Sequence, residues 1–215
     1  MRSILNIVNN EKLKPLHSNY FRHSCVINNK RSKVGKQNPD IHTKLIEQCR
    51  QGESRSQYRL YKMYSKAMYN LAMRMLGNKM DAEDVIQDAF VTAFRKIGDY
   101  RGEASFGAWL RRIVVNHCIN FLQRNKSFFE SLESQTEPIQ SEDNNDEVYG
   151  FSPEIIHGAV KMLPKGSRVV LNLFLFEGYK HREIATMLNI SESTSKSQYQ
   201  RAKTLLKEKL MNHEK

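Results

Sequence analysis

Apolar residues recur at steps of three and four along two stretches of the chain, residues 41–126 and 153–210, and this spacing predicts helices in both. In the first stretch Gly52 separates two helices, and the pair Gly77 and Asn78 ends the second one. Residues 127–152 lack such spacing. The pattern predicts an all-α protein with two small helical domains joined by a flexible linker.

The helix that the pattern starts at Asp81 has one apolar face and one acidic side. The apolar positions are Val85, Ile86, Ala89, Phe90, Ala93, Phe94 and Ile97. On the other side Asp84, Gln87 and Asp88 are neighbours, because residues three and four apart share a helix surface. Asp81 suits the first turn, where a carboxylate complements the helix dipole, but Asp84 and Asp88 repel each other. We therefore favour a basic protein surface as the partner of this stripe over a merely solvated face.

A long helix is predicted over about residues 104–124, with Trp109 assigned to its packed side. Its polar side carries a line of residues spaced four apart, with one more arginine beside it: Arg112, Asn116, Asn120 and Arg111. Arginine can hold phosphate and asparagine can pair with base edges, whereas asparagine is a poor helix former. The line indicates either a nucleic-acid contact or an ordinary polar face.

The second stretch contains the pattern of a helix-turn-helix. A short amphipathic helix over residues 180–188 is followed by Asn189, which tolerates the left-handed backbone that the turn requires. Ser191 or Ser193 then caps a second helix that runs to about Leu210. The second helix of such a motif normally enters the major groove of DNA. The residues predicted to contact DNA are Lys196, Ser197, Gln198, Arg201 and Lys203.

Charge divides the chain into four segments. The formal net charge is +11, which favours polyanionic partners. Residues 1–40 carry eight basic residues and two acids without periodicity, and we expect a disordered basic arm. Residues 41–126 and 153–215 are basic domains, whereas residues 127–152 hold seven acids and no Lys or Arg. The interpretation that assigns no specific function to that acidic segment is a solvated spacer.

Several function classes find no support in the residues. The three cysteines are scattered and form neither a disulfide framework nor a metal-binding spacing. No apolar run reaches the length of a signal peptide or a membrane span, and no phosphate loop or nucleophile motif is present. We expect a cytoplasmic protein that is not an enzyme and has no cofactor and no metal.

The order of these elements resembles the sigma-70 superfamily, in its small extracytoplasmic-function (ECF) type. Residues 81–90 (DAEDVIQDAF) look like the family's core-polymerase-binding helix, and residues 100–116 (YRGEASFGAWLRRIVVN) look like its promoter −10 recognition region. Residues 163–203 are similar to its −35-binding C-terminal domain. The resemblance covers residues 41–126 and 153–210.

The resemblance implies a sigma factor that binds core RNA polymerase and recognises promoter DNA. It assigns polymerase binding, through the β′ clamp helices, to Asp81, Asp84, Gln87 and Asp88. It assigns the −10 element to Arg111, Arg112, Asn116 and Asn120, and the −35 element to Lys196, Ser197, Gln198, Arg201 and Lys203. The acidic linker would thread the polymerase's basic RNA path, and an anti-sigma factor is a further partner that the family often has.

Three departures from the family pattern and two alternative functions accompany this interpretation. The basic arm of residues 1–40 has no counterpart in the minimal family layout. Ser195 stands where the family usually has Val, which predicts looser packing of the recognition helix, and Ser193 replaces a common Gly. A stand-alone helix-turn-helix regulator would bind DNA without polymerase, but it leaves the acidic stripe without a role. A nucleic-acid enzyme would need metal ligands, and the carboxylates of residues 81–88 lie on one helix with no convergent His.

Overall fold

The computed structural model of the protein describes residues 42–124 and 152–212, and helices dominate both ranges. The α-helices are α1 (Thr43–Arg50), α2 (Ser54–Leu76), α3 (Lys79–Arg95), α4 (Phe106–Gln123), α5 (Pro153–Lys161), α6 (Lys165–Leu171), α7 (His181–Leu188) and α8 (Glu192–Met211). A 3-10 turn (Ile97–Asp99) follows α3, and a π-helical turn (Asn172–Phe176) follows α6. These ranges contain no strand, so the all-α prediction is confirmed. The predicted basic arm, and the acidic linker up to its last residue, lie outside the described residues.

The described helices fall into two compact units. The N-terminal unit comprises residues 42–73 and 77–121, and the C-terminal unit comprises residues 152–212 together with Arg74–Leu76 and residues 122–124. Across these ranges, no helix combines the length and the apolar character that a membrane span needs.

Aromatic contacts hold the N-terminal unit together. The ring of Tyr61 on α2 lies 4.8 Å from that of Phe90 on α3, and Tyr64 lies 5.4 Å from Phe106 on α4, centroid to centroid. Such edge-on pairs add about 0.5–1.5 kcal/mol beyond the apolar area they bury. The contacts explain why the two tyrosines are spaced three apart: both lie on the side of α2 that faces the other helices.

The start of α3 differs from the prediction by two residues. Asn78 does not only follow α2; its side-chain oxygen accepts hydrogen bonds from the backbone N–H groups of Met80 (2.8 Å) and Asp81 (3.3 Å). The helix therefore begins at Lys79, because an asparagine cap satisfies N–H groups that have no partner within the helix. Gly77, at φ 75°, ends α2 in the left-handed conformation that glycine adopts most readily.

The helix-turn-helix of the C-terminal unit is confirmed in its local detail. Asn189 has φ 55° and is the one non-glycine residue with a positive φ within the described ranges. Ser191, of the two serines considered, caps α8: its hydroxyl accepts from the Thr194 N–H at 2.9 Å. Ile184 and Leu188 of α7 are fully buried, as their spacing predicted.

The cysteines of the described ranges, Cys49 and Cys118, are buried and form no disulfide with each other. Burial, with a smaller effect of the Glu53 carboxylate, raises the pKa of the Cys49 thiol to about 11. That thiol therefore stays protonated at neutral pH, which suits a packing role rather than a nucleophile or metal ligand.

Candidate functional sites

The acidic stripe on α3 is exposed. Asp84, Gln87 and Asp88 all point to solvent, while Val85, Ile86 and Ala89 between them are buried in the N-terminal unit. Asp81 is half-buried in the first turn of the helix, where it complements the helix dipole. The structure thus brings three of the four predicted polymerase-binding residues onto one open surface and leaves Asp81 at its edge.

Two exposed apolar residues that were not among the predicted site residues extend this stripe. Met80 is 73% exposed and Val91 is 48% exposed. Met80 lies four residues before Asp84 and Val91 lies three residues after Asp88, so both share the stripe's side of α3. The sequence does contain a signal for both residues, since each is an apolar residue at a position where this face of the helix is otherwise polar. This side of α3 therefore combines three exposed polar side chains with two exposed apolar ones.

The loop before α4 is fixed by local contacts. The Tyr100 hydroxyl donates to the Ala104 carbonyl at 2.7 Å, and the Ser105 hydroxyl accepts from the Ala108 N–H at 3.3 Å near the start of the helix. The ring of Tyr100 also lies 5.5 Å from that of Trp109. Trp109 therefore belongs to an aromatic cluster, which confirms its packing role.

The polar side of α4 presents the predicted line of residues. Arg112, Asn116 and Asn120 are all exposed and follow one another at one-turn spacing. Arg111 is half-buried, and its Nε atom is buried. The line therefore consists of one arginine and two asparagines, with Arg111 beside it.

The predicted DNA-contact residues of α8 differ widely in exposure. The Lys196 side chain is 60% exposed and pairs with Glu192 at 2.8 Å, while Ser197, Arg201 and Lys203 are half-buried. Gln198 is fully buried, and its side-chain oxygen accepts a 2.6 Å hydrogen bond from the Ser167 hydroxyl of α6. The Gln198 side chain, which the sequence predicted to contact DNA, thus has no exposed surface in this structure. Its side chain instead joins α8 to α6.

A second polar pair connects α8, the second helix of the helix-turn-helix, to α7. Ser195 is fully buried, and its hydroxyl lies 2.9 Å from Nδ1 of His181 at the start of α7. The His181 ring stacks on Phe174, with centroids 4.4 Å apart, and burial, with a smaller effect of Lys196, lowers the pKa of His181. The expectation of looser packing at Ser195 is not met, because the hydroxyl has a partner in the other helix of the motif.

We predict that Gln198→Ala destabilises the C-terminal unit by about 1–3 kcal/mol, because it leaves a buried Ser167 hydroxyl without its acceptor and opens a cavity. Chemical denaturation followed by circular dichroism measures this loss. The control is Gln200→Ala on the same helix, whose side chain is half-exposed and whose loss is expected to change stability by about 0.5 kcal/mol or less. Equal stability of the two variants would contradict a positioning role for Gln198.

The part of the chain that the structure describes contains no group of three or more His, Cys, Asp or Glu residues arranged to hold a metal ion. The carboxylates of α3 therefore form no such group with any other described residue.

Comparison with known proteins yields two family matches, one in each stretch. Residues 60–128 match "Sigma-70 region 2", and residues 154–206 match "Sigma-70, region 4".

Individual relatives span most of the chain. It is 29% identical to the RNA polymerase sigma-H factor of Pseudomonas aeruginosa over 74% of this chain and 88% of that protein. It is also 29% identical to the ECF RNA polymerase sigma factor SigM of Mycobacterium tuberculosis, over 68% of this chain and 73% of that protein. A solved structure, the sigma factor RpoE in complex with the anti-sigma factor NepR from Bartonella quintana, aligns at 24% identity and a TM-score of 0.46 over 72% of this chain and 96% of that chain.

Proposed function

Since the chain belongs to the sigma-70 family, as an RNA polymerase sigma factor of the ECF type, we propose that three of its surfaces divide promoter recognition between them. The stripe on α3 binds core polymerase, the polar line on α4 holds the −10 element, and α8 reads the −35 element. The domains then follow the predicted bounds, with residues 41–126 as the polymerase and −10 domain, residues 153–215 as the −35 domain, and residues 127–152 as the linker between them.

The observation that carries this proposal is the exposed stripe on α3. Asp84, Gln87 and Asp88 form an open acidic surface on a chain of net charge +11, and Met80 and Val91 lie at its two ends. Charge complementarity directs the stripe to a basic partner, and the apolar ends supply area that gains free energy when water leaves. The β′ clamp helices of the polymerase are the partner that the family implies.

The line on α4 suits the melted −10 strand. Asparagine presents both a donor and an acceptor, which an unstacked base edge requires, and Arg112 can hold a neighbouring phosphate. The aromatic cluster at Tyr100 and Trp109 fixes the start of α4, so the line stands on a rigid support. Because Arg111 is half-buried, we give Arg112 the larger part of the phosphate contact.

For the −35 element we retain Lys196, Ser197, Arg201 and Lys203 as DNA contacts. Gln198 becomes a positioning residue, because its bond to Ser167 and the bond between Ser195 and His181 both fix the rotation of α8 against the rest of the motif. A fixed rotation decides which side chains of α8 face the major groove.

In this function the protein supplies specificity and catalyses no reaction, and it acts in the cytoplasm, where the polymerase is. Each base contact contributes about 1–3 kcal/mol to selectivity, while polymerase binding supplies much of the affinity. An anti-sigma factor stays a predicted partner.

The experiment that tests the function mixes the purified full-length chain with sigma-free core RNA polymerase on a size-exclusion column. We expect the two to co-elute, and we expect the complex to initiate transcription at a subset of promoters. Failure to co-elute at every salt concentration, together with tight DNA binding by the free chain, would favour the stand-alone regulator instead.

A further inference from the structure

The outer side of α2 carries an uninterrupted line of positive charge. Four exposed residues form this basic stripe: Arg55, Arg59, Lys62 and Lys66. Their spacing of four, three and four places them on one face of the helix. The whole of α2 contains no Asp or Glu. Of the residues that the structure describes, none forms an ion pair with the stripe.

The basic stripe lies on the side of α2 that takes no part in packing. The opposite side holds the fully buried Leu60 and Met68, and Tyr64 there contacts Phe106. Like charges three and four residues apart destabilise a helix by a few tenths of a kcal/mol per pair, by analogy with the gain from opposite charges. The stripe thus weakens the helix that carries it, and a polyanionic partner explains why the charges are there.

An exposed aromatic residue accompanies the charges. Tyr58 is 60% exposed and lies beside Arg55 and Lys62 on the helix surface, with the Lys62 ammonium 5.7 Å from its ring centroid. Basic residues that follow a backbone, combined with an aromatic ring on which a base can stack, are typical of surfaces that bind single-stranded nucleic acid. A duplex offers no free base face for such a ring.

We propose that the basic stripe and Tyr58 bind single-stranded DNA. The surface is separate from the line on α4, and it rests on the proposed function, since promoter melting supplies the strand. The stripe extends over about 16 Å at a rise of about 1.5 Å per residue.

The test measures binding of the full-length chain to a fluorescein-labelled oligo(dT) of twenty nucleotides by anisotropy, over a series of salt concentrations. The stripe variant is Arg59→Gln, Lys62→Gln. The control is Lys44→Gln, Lys96→Gln, which removes the same charge from exposed positions elsewhere in the N-terminal unit. We expect the plot of log affinity against log salt to become shallower by about 1.4 in the stripe variant, at about 0.7 per lost phosphate contact, and to keep its slope in the control.

Tyr58 provides a second readout. Tyr58→Ala is expected to weaken oligo(dT) binding by about fivefold or more, while Tyr58→Phe keeps the stacking face and the affinity. The proposal is overturned if the stripe and control variants have equal slopes, or if Tyr58→Ala binds like the parent protein. It is also overturned if the stripe variant loses affinity for a twenty-base-pair duplex but not for oligo(dT).

Two further measurements keep this result separate from the proposed function. Both double variants are expected to co-elute with core polymerase. If the parent protein does not co-elute, the proposed function is contradicted. The comparison of oligo(dT) binding between the variants can still be interpreted in that case. Thermal unfolding of the stripe variant is expected at the same or a higher temperature than that of the parent, because like-charge repulsion has been removed. A fold defect therefore does not explain a loss of binding.

Discussion

The double charge reversal Asp84→Arg, Asp88→Arg is expected to lower the affinity for core RNA polymerase by about a hundredfold or more, enough to abolish co-elution. Both carboxylates are exposed on the same side of α3. The reversal turns two attractive contacts to a basic partner into two repulsive contacts. It also removes the long-range attraction that speeds encounter. The measurement is size-exclusion chromatography of the variant with sigma-free core polymerase.

This variant is expected to keep the fold of the parent protein. Val85, Ile86 and Ala89 pack on the buried side of α3 and are left unchanged. The reversal also exchanges one like-charge pair four residues apart for another, so the free energy of unfolding is expected to stay nearly constant.

A matched control is Asp99→Arg, Glu103→Arg, which makes the same change in charge at two exposed residues outside α3. This control is expected to co-elute. If both double variants co-elute with polymerase as the parent does, the stripe on α3 is not the docking surface.

Replacing Asn116 by alanine is expected to reduce open-complex formation by about five- to a hundredfold, the range that loss of one good base contact predicts. Polymerase binding is expected to stay intact, because Asn116 lies on α4 and the docking stripe lies on α3. Permanganate footprinting of the melted strand, or fluorescence of a labelled −10 base, measures the effect on promoter opening.

Stability and activity are expected to move in opposite directions in this variant. Asn116 is exposed in the middle of α4, and alanine is the better helix former there by several tenths of a kcal/mol. The control Asn70→Ala makes the same change at an exposed position of α2. It is expected to raise stability without reducing opening. An Asn116→Ala variant that opens the promoter as well as the Asn70→Ala control does would remove Asn116 from the −10 site.

The candidate sites were predictable from sequence to different degrees. The stripe on α3 and the line on α4 follow from helical spacing alone, because on a helix the spacing of residues decides which side chains share a face. Along α8 the same spacing groups residues 196–203 but does not say which of them are covered by other elements. Lys196 is exposed and Gln198 is fully buried, although only one residue separates them.

Neighbouring residues alone predict the helices and the turn of the helix-turn-helix, because periodicity and the left-handed conformation of Asn189 are local properties of the chain. The same reasoning missed the Asn78 cap of α3, which starts that helix two residues earlier than its apolar spacing suggests. Folding sets the roles of residues whose partners lie far along the chain. Gln198 meets Ser167 across 31 residues, and Ser195 meets His181 across 14. No local pattern encodes such pairs, since a polar residue is drawn into a buried site only when the fold brings its hydrogen-bond partner there.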